Sequence, residues 1–142
     1  MAIYYENYPI GNAKSLAVMV KTSGIGEIIE EKYLLCKPIE ARAFAKSLRE
    51  TNLSVALKTV FGIASPFASI IGAWSSVAQQ SFINKIVDES DSGKAYVRIW
   101  LYKSTRTSVM YNTVESTNET FCKIKLNDDS SVTQKVTYNM TF

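Results

Sequence analysis

Histidine is absent from this chain of 142 residues, and its absence excludes several common catalytic arrangements. A chain without histidine cannot build a Ser-His-Asp triad or a Cys-His dyad, nor can it use imidazole as a general acid or base. It also lacks the usual ligand of catalytic zinc sites. An enzyme with this sequence would have to work with carboxylates, lysine, tyrosine or cysteine.

Cysteine is scarce as well, since the chain holds only Cys36 and Cys122. Two thiols without histidine are too few for a zinc site. Three alternatives stay open for them: two buried free thiols, one long-range disulfide between Cys36 and Cys122, or a reactive thiol, which neither sequence context favours because no obvious base lies beside it. In the chain-entropy model, such a disulfide would stabilise the fold by about 4–5 kcal/mol. We predict no metal site and no cofactor.

The acidic residues do not make up for the missing histidine. Neighbours such as Glu30 and Glu31 point to opposite sides of a strand, while Asp128 and Asp129 suit a turn. The sequence contains no glycine-rich nucleotide loop and no GxSxG nucleophile motif. We therefore expect a protein that is not an enzyme.

Size and composition indicate one ordinary domain, covering residues 1–142. A hydrophobic fraction of 46% and an aromatic fraction of 11% argue against intrinsic disorder. The mean hydropathy of −0.02 argues against a polytopic membrane protein. The net charge is only +3 and is dispersed along the chain, so we do not expect nucleic acid as a partner.

The N-terminal part, residues 1–37, is predicted to form strands. Apolar residues recur at every second position from Leu16 to Val20, and this period is typical of a strand. A turn with two glycines follows. The pattern favours an N-terminal hairpin that pairs Ala13–Thr22 with Glu27–Cys36.

The middle part, residues 38–88, is predicted to form a helical hairpin. Pro38 suits the first position of a helix. The apolar residues that then recur at three- and four-residue steps are Ala41, Phe44, Ala45 and Leu48. A break near Asn52 is left open. Ser65 and Pro66 suit the start of a second helix, predicted over Pro66–Val87.

The C-terminal part, residues 93–142, is predicted to form four strands joined by short turns. The predicted fold class is α+β, with the helical hairpin (about 38–88) packed on an antiparallel sheet formed mainly by this C-terminal meander (about 94–142). The strand residues expected to pack on the helices are Val97, Ile99, Leu101, Ile124 and Leu126. The opposite face is a predicted docking face consisting of Tyr96, Arg98, Trp100 and Tyr102, with Lys103, Lys123 and Lys125 beside them.

A run without charge extends over 26 residues, Thr59–Asn84. Small residues at four-residue steps within it are Ala64, Ala68 and Gly72, and this spacing favours close packing of helices. The bulky residues between them are Phe67, Ile70, Ile71 and Trp74. Such a segment is either a central core helix or a segment that enters membranes. Its serines, glutamines and proline make a permanent membrane anchor a poor interpretation.

We therefore expect a small secreted, non-enzymatic, membrane-active protein of toxin or antibacterial type. In this hypothesis the bulky residues of the uncharged run contact membrane lipid, and the small residues pack helices together. The alternative is a non-catalytic binding or assembly module with a protein partner or a homo-oligomeric state. The segment Met1–Ile10 is not a signal peptide pattern, so secretion would concern a mature form. A cytoplasmic protein is the other interpretation.

Overall fold

The computed structural model describes residues 3–24, 27–63, 75–104, 106, 110–127 and 132–140. Within these residues the chain forms three helices and seven strands, which confirms the predicted α+β class. The strands are β1 (Ile3–Pro9), β2 (Ser15–Gly24), β3 (Glu27–Cys36), β4 (Tyr96–Ser104), β5 (Tyr111–Thr117), β6 (Phe121–Asn127) and β7 (Val132–Met140). The helices are α1 (Pro38–Glu50), α2 (Leu53–Phe61) and α3 (Ser76–Ser90).

In that part of the chain the strands form two antiparallel sheets. The main sheet has five strands in the order β5-β4-β3-β2-β7, and the smaller sheet pairs β1 with β6. Strands β2 and β3 pair along their whole length, from Ser15 opposite Cys36 to Gly24 opposite Glu27. The predicted N-terminal hairpin is therefore confirmed.

Strand β2 shows that the main sheet is the middle of three layers. Ala17 and Met19 belong to the core cluster that the helices cover. Leu16, Val18 and Val20 point to the other face, where they belong to a second cluster with side chains of β6. Because β2 is buried on both faces, it carries an almost unbroken run of apolar residues.

The helical layer packs around three phenylalanines. Phe44 of α1 is fully buried, and its ring meets the ring of Phe61 edge-on at a centroid distance of 5.1 Å. The ring of Phe82 from α3 lies at 6.3 Å and is nearly perpendicular to it. Phe44 thus joins the three helices, as the periodicity of α1 predicts for its apolar side.

The first two helices are separate elements. Thr51 leaves the helical conformation, and the Asn52 side chain then accepts a hydrogen bond of 2.9 Å from the Val55 N–H. This contact satisfies one of the free donors at the start of α2. Gly62 ends α2 in the left-handed conformation with φ of +69°, which glycine adopts without strain.

A helix start at Ser75 interrupts the second predicted helix. Ser75 has an extended backbone, and its hydroxyl accepts a hydrogen bond from the Ala78 N–H at 3.2 Å. The predicted single helix Pro66–Val87 is therefore wrong in its continuity, because the extended backbone of Ser75 interrupts it. Residues 64–74 lie outside the described part of the chain. They include every predicted lipid-contacting and helix-packing residue, namely Ala64, Phe67, Ala68, Ile70, Ile71, Gly72 and Trp74.

The C-terminal strands do not form a continuous meander. Strand β5 pairs with β4, but β6 pairs with β1 and β7 pairs with β2. Ile124 therefore belongs to the second core cluster and does not pack on the helices, while the side chain of Leu126 lies outside the described set. Two-residue alternation marks β6 as half-buried without identifying its partner. Strand β6 instead helps to cover the second apolar face of β2.

Both cysteines are buried free thiols in the structure. Cys36 belongs to the helix-side cluster, whereas Cys122 belongs to the cluster on the opposite face of the main sheet. The Cys36 thiol donates a hydrogen bond of 3.7 Å to the Val97 carbonyl. Burial raises the pKa of Cys36, and it raises the pKa of Cys122 to about 12. Of the alternatives left open by the sequence, the structure shows two buried free thiols.

Candidate binding face

The predicted docking residues of β4 share one face of the main sheet. Tyr96, Arg98, Trp100 and Tyr102 are all half-buried, and they alternate with residues that face the helices. Tyr96 packs against the second core cluster. Farther along β4, Arg98 lies opposite Leu35 of β3, Trp100 lies opposite Tyr33, and Tyr102 lies opposite Glu31.

Three aromatic rings form a row across β4 and β5, which we call the aromatic strip: Trp100, Tyr102 and Tyr111. The centroid distance is 5.6 Å from Trp100 to Tyr102 and 6.0 Å from Tyr102 to Tyr111. Tyr111 is 52% exposed. Sequence reasoning missed Tyr111 because only the pairing of β4 with β5 places it opposite Tyr102.

Hydrogen bonds to residues of β3 fix the position of Trp100 in the aromatic strip. The Trp100 indole N–H donates to a Glu31 carboxylate oxygen at 3.3 Å, and the Tyr33 hydroxyl also bonds Glu31. Burial raises the pKa of Glu31, and these two hydrogen bonds oppose that shift. Because the polar atom of Trp100 is satisfied within the protein, what the indole offers a partner is the apolar part of its ring.

Arg98 closes one end of the strip. Its two terminal nitrogens donate to Glu115 and Glu119, each at 2.8 Å. These contacts lower the pKa of Glu119. Arg98 therefore joins β4 to β5 and to the segment before β6, and its charge is matched by two carboxylates. It is a positioning residue of this face and does not supply a cation for a partner.

The lysines that were predicted beside this face lie elsewhere. Lys103 follows Tyr102 directly and so points to the helix side, where it lies opposite Glu30. Lys123 and Lys125 belong to the smaller sheet, on the side that carries Tyr5. The Lys123 ammonium lies 4.6 Å from the centroid of the Tyr5 ring. Alternation along β4 explains the position of Lys103, and the pairing of β6 with β1 explains the positions of Lys123 and Lys125.

Strand β6 lies above the main sheet and next to the aromatic strip. Tyr33 of β3 packs against the second core cluster, which includes Cys122 and Ile124 of β6. At the other end, Glu119 lies two residues before the start of β6 and binds Arg98 of β4. Strand β6 therefore runs above β3, and the part of the main sheet next to it is the face of β4 and β5.

A second polar cluster lies on the helix side of the main sheet. The Lys32 ammonium and a Glu30 carboxylate oxygen are 3.9 Å apart, and both side chains are almost fully buried. That Glu30 oxygen has no hydrogen-bond partner among the described residues. Burial lowers the pKa of Lys32 to about 8, while the charge of Glu30 opposes the shift. Glu30 and Glu31 do point to opposite faces, as predicted, so they cannot act as a catalytic pair.

Three further findings bear on function. Among the described residues, no three side chains of cysteine, aspartate or glutamate come together in a group that could hold a metal ion. None of the helices in the described ranges combines the length and the apolar character needed to cross a membrane. Comparison with protein-family models, curated proteins and solved structures finds no match for this chain.

Proposed function

We propose that the protein is a non-enzymatic binding module and that the aromatic strip is its contact surface. The observation that carries the proposal is a row of three rings on a sheet face, ending in the half-exposed ring of Tyr111. Tyrosine and tryptophan are enriched in protein interfaces and supply most of the residues whose truncation weakens binding strongly.

The residues of the aromatic strip are held in place by the surrounding structure before any partner binds. Strand β4 lies between β3 and β5, and its opposite face is buried under the helices. Trp100 is held by Glu31, and Arg98 is held by two carboxylates. A surface that is already ordered loses little conformational entropy when a partner binds.

The charges around the strip favour a protein partner over nucleic acid. Glu31, Glu115 and Glu119 surround it, and the nearby Arg98 is engaged by two of them. Phosphate groups would meet carboxylates there, whereas nucleic-acid binding depends on unpaired lysine and arginine. A protein segment that turns uncharged or apolar side chains toward the rings fits this surface best.

Selection of peptides from a random 12-residue phage library, followed by calorimetry, tests this function. We expect Trp100→Ala and Tyr111→Ala to weaken binding of the selected peptides by about 30-fold, the effect of a 2 kcal/mol hot spot. Tyr5→Ala is the matched control, because Tyr5 is a similarly exposed tyrosine on the outer side of the smaller sheet. Selected peptides that bind both strip variants as tightly as the wild type would contradict the proposal, as would a failure to select any peptide.

A second candidate function is membrane activity of a secreted toxin or antibacterial protein. The uncharged run favours it, since 26 residues pass without a charge. At the two ends of the run, Ile63 and Phe82 are buried in the helix-side core. In this proposal residues 64–74 contact lipid between these anchored ends, through Phe67, Ile70, Ile71 and Trp74.

Release of dye from anionic vesicles tests the second function. We expect release by the wild type and a reduction of about 100-fold for Trp74→Glu, since a buried charge in a bilayer costs about 2.5–3.5 kcal/mol. Gly72→Leu should also reduce release, because it blocks close helix packing. Val77→Glu is the control, because Val77 is 79% exposed on α3. Equal release by the two glutamate variants, or none by the wild type, would exclude this function.

A further inference from the structure

Strand β6 has an edge that carries unpaired backbone groups. Within the described residues β6 pairs with β1 alone. In an antiparallel pair, the N–H and C=O groups of one residue point to the same side and alternate from residue to residue. The Ile10 N–H donates a hydrogen bond of 2.8 Å to the Thr120 carbonyl across this pair. Thr120 therefore turns its groups toward β1, and alternation along β6 turns those of Lys125 away from β1. The groups of Lys123, two residues earlier, point the same way.

This edge faces the aromatic strip. Tyr33 lies directly opposite Trp100 in the pairing of β3 with β4, and it packs against the second core cluster, which includes Cys122 and Ile124 of β6. Arg98 of β4 binds Glu119, close to the start of β6, at 2.8 Å. An extended segment placed next to β6 would therefore lie above β4, over Trp100 and Tyr102. Strands pair at about 4.8 Å and stacked sheets lie about 10 Å apart, so such a segment meets both the edge and the strip.

The charges on β6 indicate what the outer side of that segment should carry. Lys123 and Lys125 are exposed on the outer face of the smaller sheet. Their partners on β1 are the uncharged residues Asn7 and Tyr5. An acidic side chain on the next strand would lie opposite these lysines and stabilise the pairing. The inner side of the same strand would face aromatic rings and should be apolar.

Resting on the proposed function, we propose that the aromatic strip binds an extended segment of a partner protein by strand addition. The segment adds to the free edge of β6 as a third strand of the smaller sheet. Its alternate side chains are apolar residues against the strip and acidic residues beside Lys123 and Lys125. Backbone hydrogen bonds provide affinity, and the two side-chain faces provide specificity.

The probe is a synthetic octapeptide of alternating valine and glutamate, blocked at both ends and titrated against the labelled protein by NMR. We expect shifts of the Trp100 indole and the Lys123 amide, and weaker binding by about tenfold for a valine–lysine octapeptide. N-methylation of the peptide backbone distinguishes strand addition from contact through side chains alone, since an added edge strand turns alternate N–H groups toward β6. Methylating either the valines or the glutamates should abolish binding, while methylating the other set leaves it intact.

Variants of the protein give the matching test. Lys123→Pro removes an N–H that points away from β1, a position where an edge strand tolerates proline. We expect it to weaken octapeptide binding by about tenfold, whereas Lys123→Thr retains the N–H and should bind the valine–lysine octapeptide no worse than the wild type does. If Lys123→Pro fails to fold, the N-methylated octapeptides still test strand addition on the wild-type protein.

The outcomes separate this inference from the function on which it rests. Binding that needs Tyr111 but tolerates both methylations and Lys123→Pro would overturn strand addition and retain the aromatic strip as a contact surface. Binding that tolerates Trp100→Ala and Tyr111→Ala would overturn both. No shift with millimolar octapeptide would overturn strand addition alone, because the phage-selected peptides test the strip independently.

Discussion

Phe44→Ala is expected to lower the free energy of unfolding by about 3–5 kcal/mol, the usual cost of removing a buried phenyl ring. Phe44 is fully buried and touches the rings of Phe61 and Phe82, so its loss leaves a cavity where the three helices meet. A domain of this size has only about 5–15 kcal/mol of stability. Urea denaturation followed by circular dichroism measures the change.

Two substitutions in α1 serve as controls for that measurement. Phe44→Leu keeps most of the volume and should cost about 1.5 kcal/mol or less. Ile39→Ala lies in the same helix, but Ile39 is 69% exposed, so its cost should stay within about 0.5 kcal/mol. If Phe44→Ala costs no more than Ile39→Ala, α1 does not pack through the side described above.

Glu30→Met is the second change with a large expected effect, about 3–5 kcal/mol of lost stability at pH 7. It leaves the Lys32 ammonium buried without the carboxylate at 3.9 Å. The double variant Glu30→Met with Lys32→Met should recover most of the loss, because two apolar side chains need no solvation. Urea denaturation of the two single variants and the double variant gives the coupling energy. Additive single effects would show that the pair does not interact.

The pH dependence of the same pair has a definite sign. Burial lowers the pKa of Lys32 to about 8 in the folded state, from 10.5 for an unperturbed lysine. Between these two values the unfolded chain binds more protons than the folded chain, so this group's contribution to stability rises with pH. The stability of the wild type relative to the double variant should therefore increase from pH 8 to pH 10.5. If the difference in unfolding free energy between the wild type and the double variant stays constant over this pH range, the Lys32 ammonium is exposed to water.

Local patterns in the sequence predict the elements of this fold but not all of their partners. The apolar period of α1 and the alternation of β4 depend on one buried side each, and both predictions agree with the structure. Strand β6 alternates as clearly, yet its period is the same whichever sheet it joins. Its place opposite β1 follows from the need to cover β2, which is a property of the whole fold.

The candidate site is predictable to a similar extent. The alternation of Trp100 and Tyr102 along β4 places them on one face without any knowledge of the fold. Tyr111 joins them only through the register of β4 with β5. Among the described strands, the second edge of β6 has no partner because β6 pairs with β1 outside the main sheet. Features that depend on contacts between distant segments cannot be obtained from periodicity alone.

The pairing of β2 with β7 has a consequence for synthesis of the chain. Val20 lies opposite Lys135, so β2 cannot complete its pairing until a segment 115 residues further along the chain has been synthesised. At roughly 5–20 residues per second, that delay is on the order of ten seconds. During this interval an apolar strand with an open edge is exposed to other chains. The nascent protein should therefore depend on chaperones until β7 is added.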